Sequence, residues 1–328
     1  MSLTLGRRGF TTALAATLVL PSARAGTAWR LATGYRSESF HTVNLATMAS
    51  EVDAATGGEL RIAVHANNTL VKLNDIRAAV QDGKLEAGET IMSSLVGEMP
   101  IAGADSVPFI TASFADARRM WRCQRPLIER HFAARGLQVL YAVAWPPQGL
   151  YVSKPITDIA DLQGRRMRTY NATTQRIATL VGAQPVDVPM VEVGKALADG
   201  RIDSMITSAV TGVENQVWSH VHHYYEINAW FPKNIVFANR QALNALSPAA
   251  RDALLKAAAA AETRGWAASA TAAQASVNEL RRNGMKIEPV PREFSASIRR
   301  LGERFSLEWV RQVGAEANDI FIPYFTQP

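Results

Sequence analysis

The chain has 328 residues, 48% hydrophobic and 20% charged, enough for two globular domains with sizeable cores and unlike a disordered chain. Its formal charge of +6 is dispersed rather than gathered in a stripe, which argues against nucleic acid as a partner. The single cysteine, Cys123, excludes an intramolecular disulfide, so stability rests on packing.

Residues 1–25 read as an export signal: Arg7-Arg8-Gly9-Phe10, an apolar run from Ala13 to Leu20, and the small-x-small site Ala23-Arg24-Ala25. That run is shorter than the ~20 residues needed to span a bilayer, and no later segment is a credible span. The paired arginines resemble a twin-arginine signal, with Gly6 where Ser or Thr is usual; a general secretory signal is the alternative. Cleavage before Gly26 removes three arginines and no acid, leaving +3 on a product expected in the periplasm.

The mature chain alternates strand and helix. Ala28 to Thr33 alternates as a strand, Leu45, Met48 and Val52 fall at helical spacing, Gly57-Gly58 stops that helix, and Glu59 to His65 alternates again. Asn74 or Asp75 caps a helix through Val80, and Leu85 to Met92 follows as a strand. Ser113 caps a helical region from Phe114 to Arg135 that Pro126 is expected to split, before the strand Leu137 to Ala144. Trp145-Pro146-Pro147-Gln148-Gly149 and Trp230-Phe231-Pro232-Lys233-Asn234 break the pattern, and two breaks imply that the chain crosses between lobes more than once. Val217 to Tyr225 is expected as a helix and Ile235 to Ala238 as a short strand. Ser247-Pro248 opens a helix with no strong stop before Asn283-Gly284, a rod of about 50 Å with Gly265 as a point of bending. Helices from Ser295 to Val313 and Glu316 to Phe321 close the chain.

The stretch Gly164 to Ser208 holds the candidate anchor. Arg166 and Arg168 share one strand face, and Tyr170 and Asn171 follow at the strand end, a fork of donors suited to an anion. Glu89, near the C-terminal end of a strand, stands where open parallel sheets place ligands, and pairs with a ligand ammonium or hydroxyl. Tyr35, Phe40, Trp145, Tyr170, Trp230 and Phe231 lie at turns and breaks, where aromatic rings can stack on a small ligand. His220, His222 and His223 lack the spacing of a metal site, Asp199 and Asp203 read as solvated turn carboxylates, and no common catalytic or nucleotide motif is present. No cofactor is expected.

Five segments in order then resemble one family: Ala55-Thr56-Gly57-Gly58-Glu59-Leu60, Ala104-Asp105-Ser106-Val107-Pro108-Phe109, Asp161-Leu162-Gln163-Gly164-Arg165-Arg166-Met167-Arg168, Gly182-Ala183-Gln184-Pro185-Val186, and Ala196-Leu197-Ala198-Asp199-Gly200-Arg201-Ile202-Asp203. Together they resemble the periplasmic solute-binding proteins of tripartite ATP-independent periplasmic (TRAP) transporters, the DctP type. The resemblance implies a two-lobed α/β periplasmic-binding-protein-like fold with crossing strands and one long helix spanning both lobes. The lobes are expected at 26–147 plus 234–262 and 148–233 plus 263–328. It also implies that Arg168, ending a Gly-x-x-x-Arg motif, holds a ligand carboxylate, and that membrane permease subunits are the partner.

After Asp203 the family commonly has a Gly, a Glu and an Asn-Pro pair; here Ser204-Met205-Ile206-Thr207-Ser208 follows, so the family's Asn contact falls on Thr207. A hydroxy, sugar or amino-bearing acid satisfies both Arg168 and Glu89. The expected ligand site is therefore Arg168, Tyr170, Asn171, Glu89, Thr207, Trp145, Gln148, Trp230, Asn234 and Tyr35. The alternatives are a receptor for an amine-bearing solute held by Glu89, a receptor feeding a sensor kinase, and a periplasmic enzyme, for which no nucleophile and base are evident.

Overall fold

The computed structural model describes residues 26–326; the expected signal lies outside them. The elements run β1 Thr27–Ala32, α1 Phe40–Thr56, β2 Leu60–His65, α2 Ile76–Gln81, β3 Ala87–Ile91, α3 Phe114–Ala133, β4 Leu137–Ala144 and β5 Gln148–Val152. They continue with β6 Arg166–Thr169, α4 Ala172–Leu180, β7 Gln184–Asp187, α5 Val193–Ala198, β8 Ser204–Ser208, α6 Ala209–Glu214, β9 His223–Tyr225 and β10 Lys233–Asn239. The end is α7 Arg240–Asn244, α8 Pro248–Arg282, β11 Lys286–Glu288, α9 Arg292–Val313 and α10 Glu316–Thr326.

Two mixed sheets define the two lobes, one ordered β2-β1-β3-β10-β4 and the other β11-β9-β5-β8-β6-β7. In the first, β1, β2 and β3 run parallel and β10 lies antiparallel between β3 and β4. In the second, β6, β7 and β8 run parallel, and β5 lies antiparallel between β8 and β9. Parallel neighbours need a crossover, which α1, α4 and α5 supply, as the strand and helix alternation of the sequence requires.

The chain crosses between sheets where the proline-containing breaks stand. The two crossings are hydrogen-bonded side by side: Trp145 N donates to Pro232 O at 2.7 Å, Gln148 N to Trp230 O at 3.0 Å, and Ala229 N to Gln148 O at 2.9 Å. Segments that carry proline thus keep their remaining backbone donors satisfied by each other. Asp105 fixes the root of the second crossing, accepting Lys233 N at 2.8 Å and facing Lys233 Nζ at 3.3 Å.

The 35 residues of α8 span about 50 Å. Ser247 caps it by accepting from Ala250 N at 3.1 Å, and Pro248 opens its first turn. The helix packs on α1 and β4 in one lobe and on α6 in the other. Gly265 lets α8 approach its neighbours closely: a Cβ there would lie 2.4 Å from Val143 Cγ2 and 2.8 Å from Asn44 Nδ2. Next to it, Trp266 Nε1 donates to Ala142 O at 2.9 Å.

Two sequence expectations are corrected. Pro126 does not split α3, because Ala117, Met120, Trp121, Gln124, Leu127, Ile128 and Phe132 bury one continuous face. That burial outweighs the roughly 3 kcal/mol an internal proline costs. Residues 217–225 are not a helix: Val217–Ser219 forms one tight turn and His223–Tyr225 is strand β9. The Tyr224 ring covers Gly149 of the neighbouring β5, where a Cβ would stand 2.3 Å from Tyr224 Cε2, so this packing decides against helical periodicity.

Candidate functional site

The parallel strands of both sheets end at one cavity of about 560 Å³. From the first sheet come Gly34 and Tyr35 after β1, Asn67 and Asn68 after β2, and Ile91 at the end of β3; from the second come Arg168 and Tyr170 at β6, Asp187 and Pro189 at β7, and Thr207 and Ser208 at β8. Trp145, Gln148 and Pro232 of the crossings complete the wall. C-terminal strand ends are where open α/β sheets place ligands, and here two sheets present them to each other. A depression of about 700 Å³ between α3 and α10, lined by Arg119, Arg122 and Arg130 among others, lies away from these strand ends.

Arg168 and Arg166 differ through their neighbours, although alternation puts both on one strand face. Arg166 is exposed and pairs with Asp203, its Nε and Nη2 each 3.2 Å from Oδ2. Arg168, one pleat further in, is only 4% exposed. Its Nε donates to Val188 O at 2.9 Å and its Nη1 to Thr207 Oγ1 at 3.5 Å. The guanidinium lies 4.7 Å from the centre of the Tyr170 ring. Among the described residues no carboxylate lies within ion-pair distance of it, and Nη2 makes no hydrogen bond. Burial lowers its pKa to about 10, against the pull of Tyr170, Tyr35 and Asp187, so it stays charged at neutral pH. A buried cation with an uncommitted donor edge calls for an anion with two oxygens.

The wall facing it is aromatic. The Tyr35 and Trp145 rings lie 5.1 Å apart, and Trp145 packs on Phe40 at 5.4 Å and on His41 at 4.4 Å. Burial pushes Tyr170 up to about 12 and Tyr35 well above its ordinary value, so both hydroxyls keep their protons. Tyr170 donates to Gln148 Oε1 at 3.5 Å.

Of the sequence-derived set, the structure brings Arg168, Tyr170, Thr207, Trp145, Gln148 and Tyr35 to the cavity. Four others do not line it. Glu89 is 1% exposed behind the aromatic wall, accepting from Thr33 Oγ1 at 2.6 Å, because Ile91, two residues nearer the end of β3, lines the cavity instead. Asn234 lies beside Glu89, and Trp230 is buried within the crossing. Asn171 caps α4, accepting from Thr174 N at 2.9 Å, and reaches across to Ser93 Oγ of the other lobe at 2.6 Å. His223 pairs with Glu288 at 2.9 Å, and among the described residues no cluster of three metal-ligating side chains occurs.

The sequence reading missed Asn67 and Asn68, which both take a left-handed backbone with φ of 58°. Asparagine tolerates that conformation, so an Asn pair directly after a parallel strand is a usable signal. Asp187 at the end of β7 and Met190 and Glu192 after it carried no comparable mark.

An extracytoplasmic solute receptor of Bordetella pertussis that binds pyroglutamic acid is 35% identical, matched over 92% of this chain and 100% of that one with a TM-score of 0.90. A TRAP solute-binding protein of an unidentified marine microbe, in complex with co-purified pyroglutamate, is also 35% identical over 92% of this chain and 99% of that one, with a TM-score of 0.90. A monocarboxylate 2-oxoacid-binding periplasmic protein of Nostoc sp. is 29% identical over 190 residues, 56% of this chain and 50% of that protein. The match thus spans about half the length of the curated relatives. The family model of bacterial extracellular solute-binding proteins, family 7 (DctP), matches residues 32–309, and the chain belongs to that family.

Proposed function

We propose that this protein is the extracytoplasmic receptor of a TRAP-type transporter, closing two lobes over a small organic carboxylate and delivering it to a membrane permease. Residues 1–25 act as its export signal in this reading. One observation carries it: Arg168 is buried and charged at a cavity between the lobes, with Thr207 and Tyr170 around it and, among the described residues, no carboxylate within ion-pair distance. A ligand carboxylate supplies the missing charge, and exclusion of water on closure strengthens the pair. Pyroglutamate is the first candidate, because the two receptors at 35% identity bind it and a compact ring acid fits a wall of Tyr35 and Trp145. An amine held by Glu89 is not favoured, since Glu89 lies behind that wall.

Isothermal calorimetry of the mature chain tests the reading, with pyroglutamate, lactate, glucuronate and a C4 dicarboxylate as probes. A saturable response to a monocarboxylate, weakened at least about a hundredfold by Arg168→Ala, supports it. Unchanged affinity in that variant overturns the anchor.

A further inference from the structure

Behind the Tyr35 and Trp145 wall lies a polar group that the carboxylate anchor does not use: Thr33, His41, Glu89 and Asn234, each no more than 2% exposed. A single oxygen ties it to the wall. Asn234 Oδ1 accepts from Trp145 Nε1 at 2.8 Å and from the Tyr35 hydroxyl at 3.1 Å. Glu89 is the diagonal neighbour of Asn234 on the sheet, since Asn234 pairs with Ile91 and Val236 with Glu89. Burial raises the pKa of Glu89 to about 7, against the Thr33 hydroxyl and the Asn234 amide, which pull it down, and the Asn234 amide nitrogen is left without a partner in hydrogen-bond geometry. Glu89 is held in turn by the Thr33 hydroxyl, and His41 Nδ1 stands 3.5 Å from its Oε1.

An amide has one accepting and one donating end, and a carboxylate only accepts. The two wall donors hold the oxygen of Asn234, which leaves its nitrogen on the side of Glu89, where the ionised carboxylate favours it. We propose that Asn234, oriented by Glu89, is a positioning residue that fixes the hydrogen-bonding polarity of the cavity wall. With its proton committed to Asn234, the Tyr35 hydroxyl offers only lone pairs, and so it selects acids that carry an N–H or O–H donor beside the carboxylate at Arg168. Tyr35 and Arg168 line the same cavity, so one small molecule can touch both side chains.

This inference rests on the small-acid reading above. Its test uses pyroglutamate and 5-oxotetrahydrofuran-2-carboxylate, the lactone in which a ring oxygen replaces the N–H. Wild type should prefer the lactam by about tenfold or more, because the lactone leaves the acceptor unpaired. Asn234→Leu should lose most of that preference. Asn234→Asp should weaken binding by setting two acids together, and the E89Q/N234D variant, which exchanges amide and acid, should recover most of it. A ligand-free readout is the 15N-indole resonance of Trp145, identified with Trp145→Phe. It should shift in Asn234→Leu and return in the exchange variant. An unmoved resonance, a retained lactam preference in Asn234→Leu, or an exchange variant no better than Asn234→Asp overturns the proposal. If wild type binds neither acid, the small-acid reading fails for this ligand class, and the indole resonance still decides the role of Asn234.

Discussion

Asp105 and Lys233 form an ion pair with side chains 1% and 0% exposed, 3.3 Å apart, where the second crossing enters the first sheet. Burial raises the pKa of the acid and lowers that of the lysine, and each charge opposes the shift of the other. Among the described residues Lys233 Nζ has no hydrogen-bond partner and only this ion pair, so removing either partner strands a buried charge.

Lys233→Met should therefore destabilise the protein by about 3–5 kcal/mol, and Asp105→Leu combined with it should recover most of the loss. Urea unfolding of the single and double variants measures this. A single variant as stable as wild type would show that the pair is solvated in solution.

Arg168→Lys should keep the fold and the charge but weaken binding of pyroglutamate by about ten- to a hundredfold. The guanidinium holds Val188 O and Thr207 while leaving an edge for the ligand, and an ammonium on a flexible stem cannot occupy all three directions. Calorimetry beside a melting curve separates affinity from stability. Equal affinity would mean that a point charge suffices.

Glu214, at the end of α6, packs against Arg36 and Ser39 ahead of α1 in the other lobe. Burial pushes its pKa up to about 7, against the pull of Arg36 and Ser39 and with the push of Glu38. A carboxyl protonated in the folded state and ionised in the unfolded chain contributes stability that is full below its ordinary value. That contribution is lost as pH rises through the folded one. Between about pH 5 and pH 8 wild type should lose stability relative to Glu214→Gln, read from melting curves of the two proteins. Parallel curves would contradict this.

Gly265→Ala tests packing against propensity. Alanine is favoured in a helix interior by about 1 kcal/mol, yet its Cβ would meet Val143 and Asn44 well inside contact distance. Net destabilisation of about 1–3 kcal/mol is expected in denaturant titration. A stabilised variant would indicate that α8 can move off β4.

Local chemistry explains how much of this was legible. Ser247-Pro248 specified the start of α8, and the prolines of the two crossings excluded central strands, because caps and missing donors act within a few residues. The family resemblance, through its Gly-x-x-x-Arg motif, pointed to Arg168 as the proposed anchor, and strand alternation put it on one face with Arg166. The same alternation could not separate it from Arg166, since the difference is Asp203, a contact 37 residues away. Glu89 was placed at a strand end correctly but at the wrong depth, because depth depends on what covers that strand.

The sequence by itself determined the family, the alternating α/β order and the long helix, which follow from short motifs, periodicity and capping, and its family resemblance singled out Arg168 as the proposed anchor. Tertiary structure alone decided which strand ends converge, that Pro126 stays within a helix, and that Asn234 and Glu89 stand behind the wall rather than in it. Those outcomes depend on burial and on hydrogen bonds between residues far apart in the chain, where no local pattern records the partner.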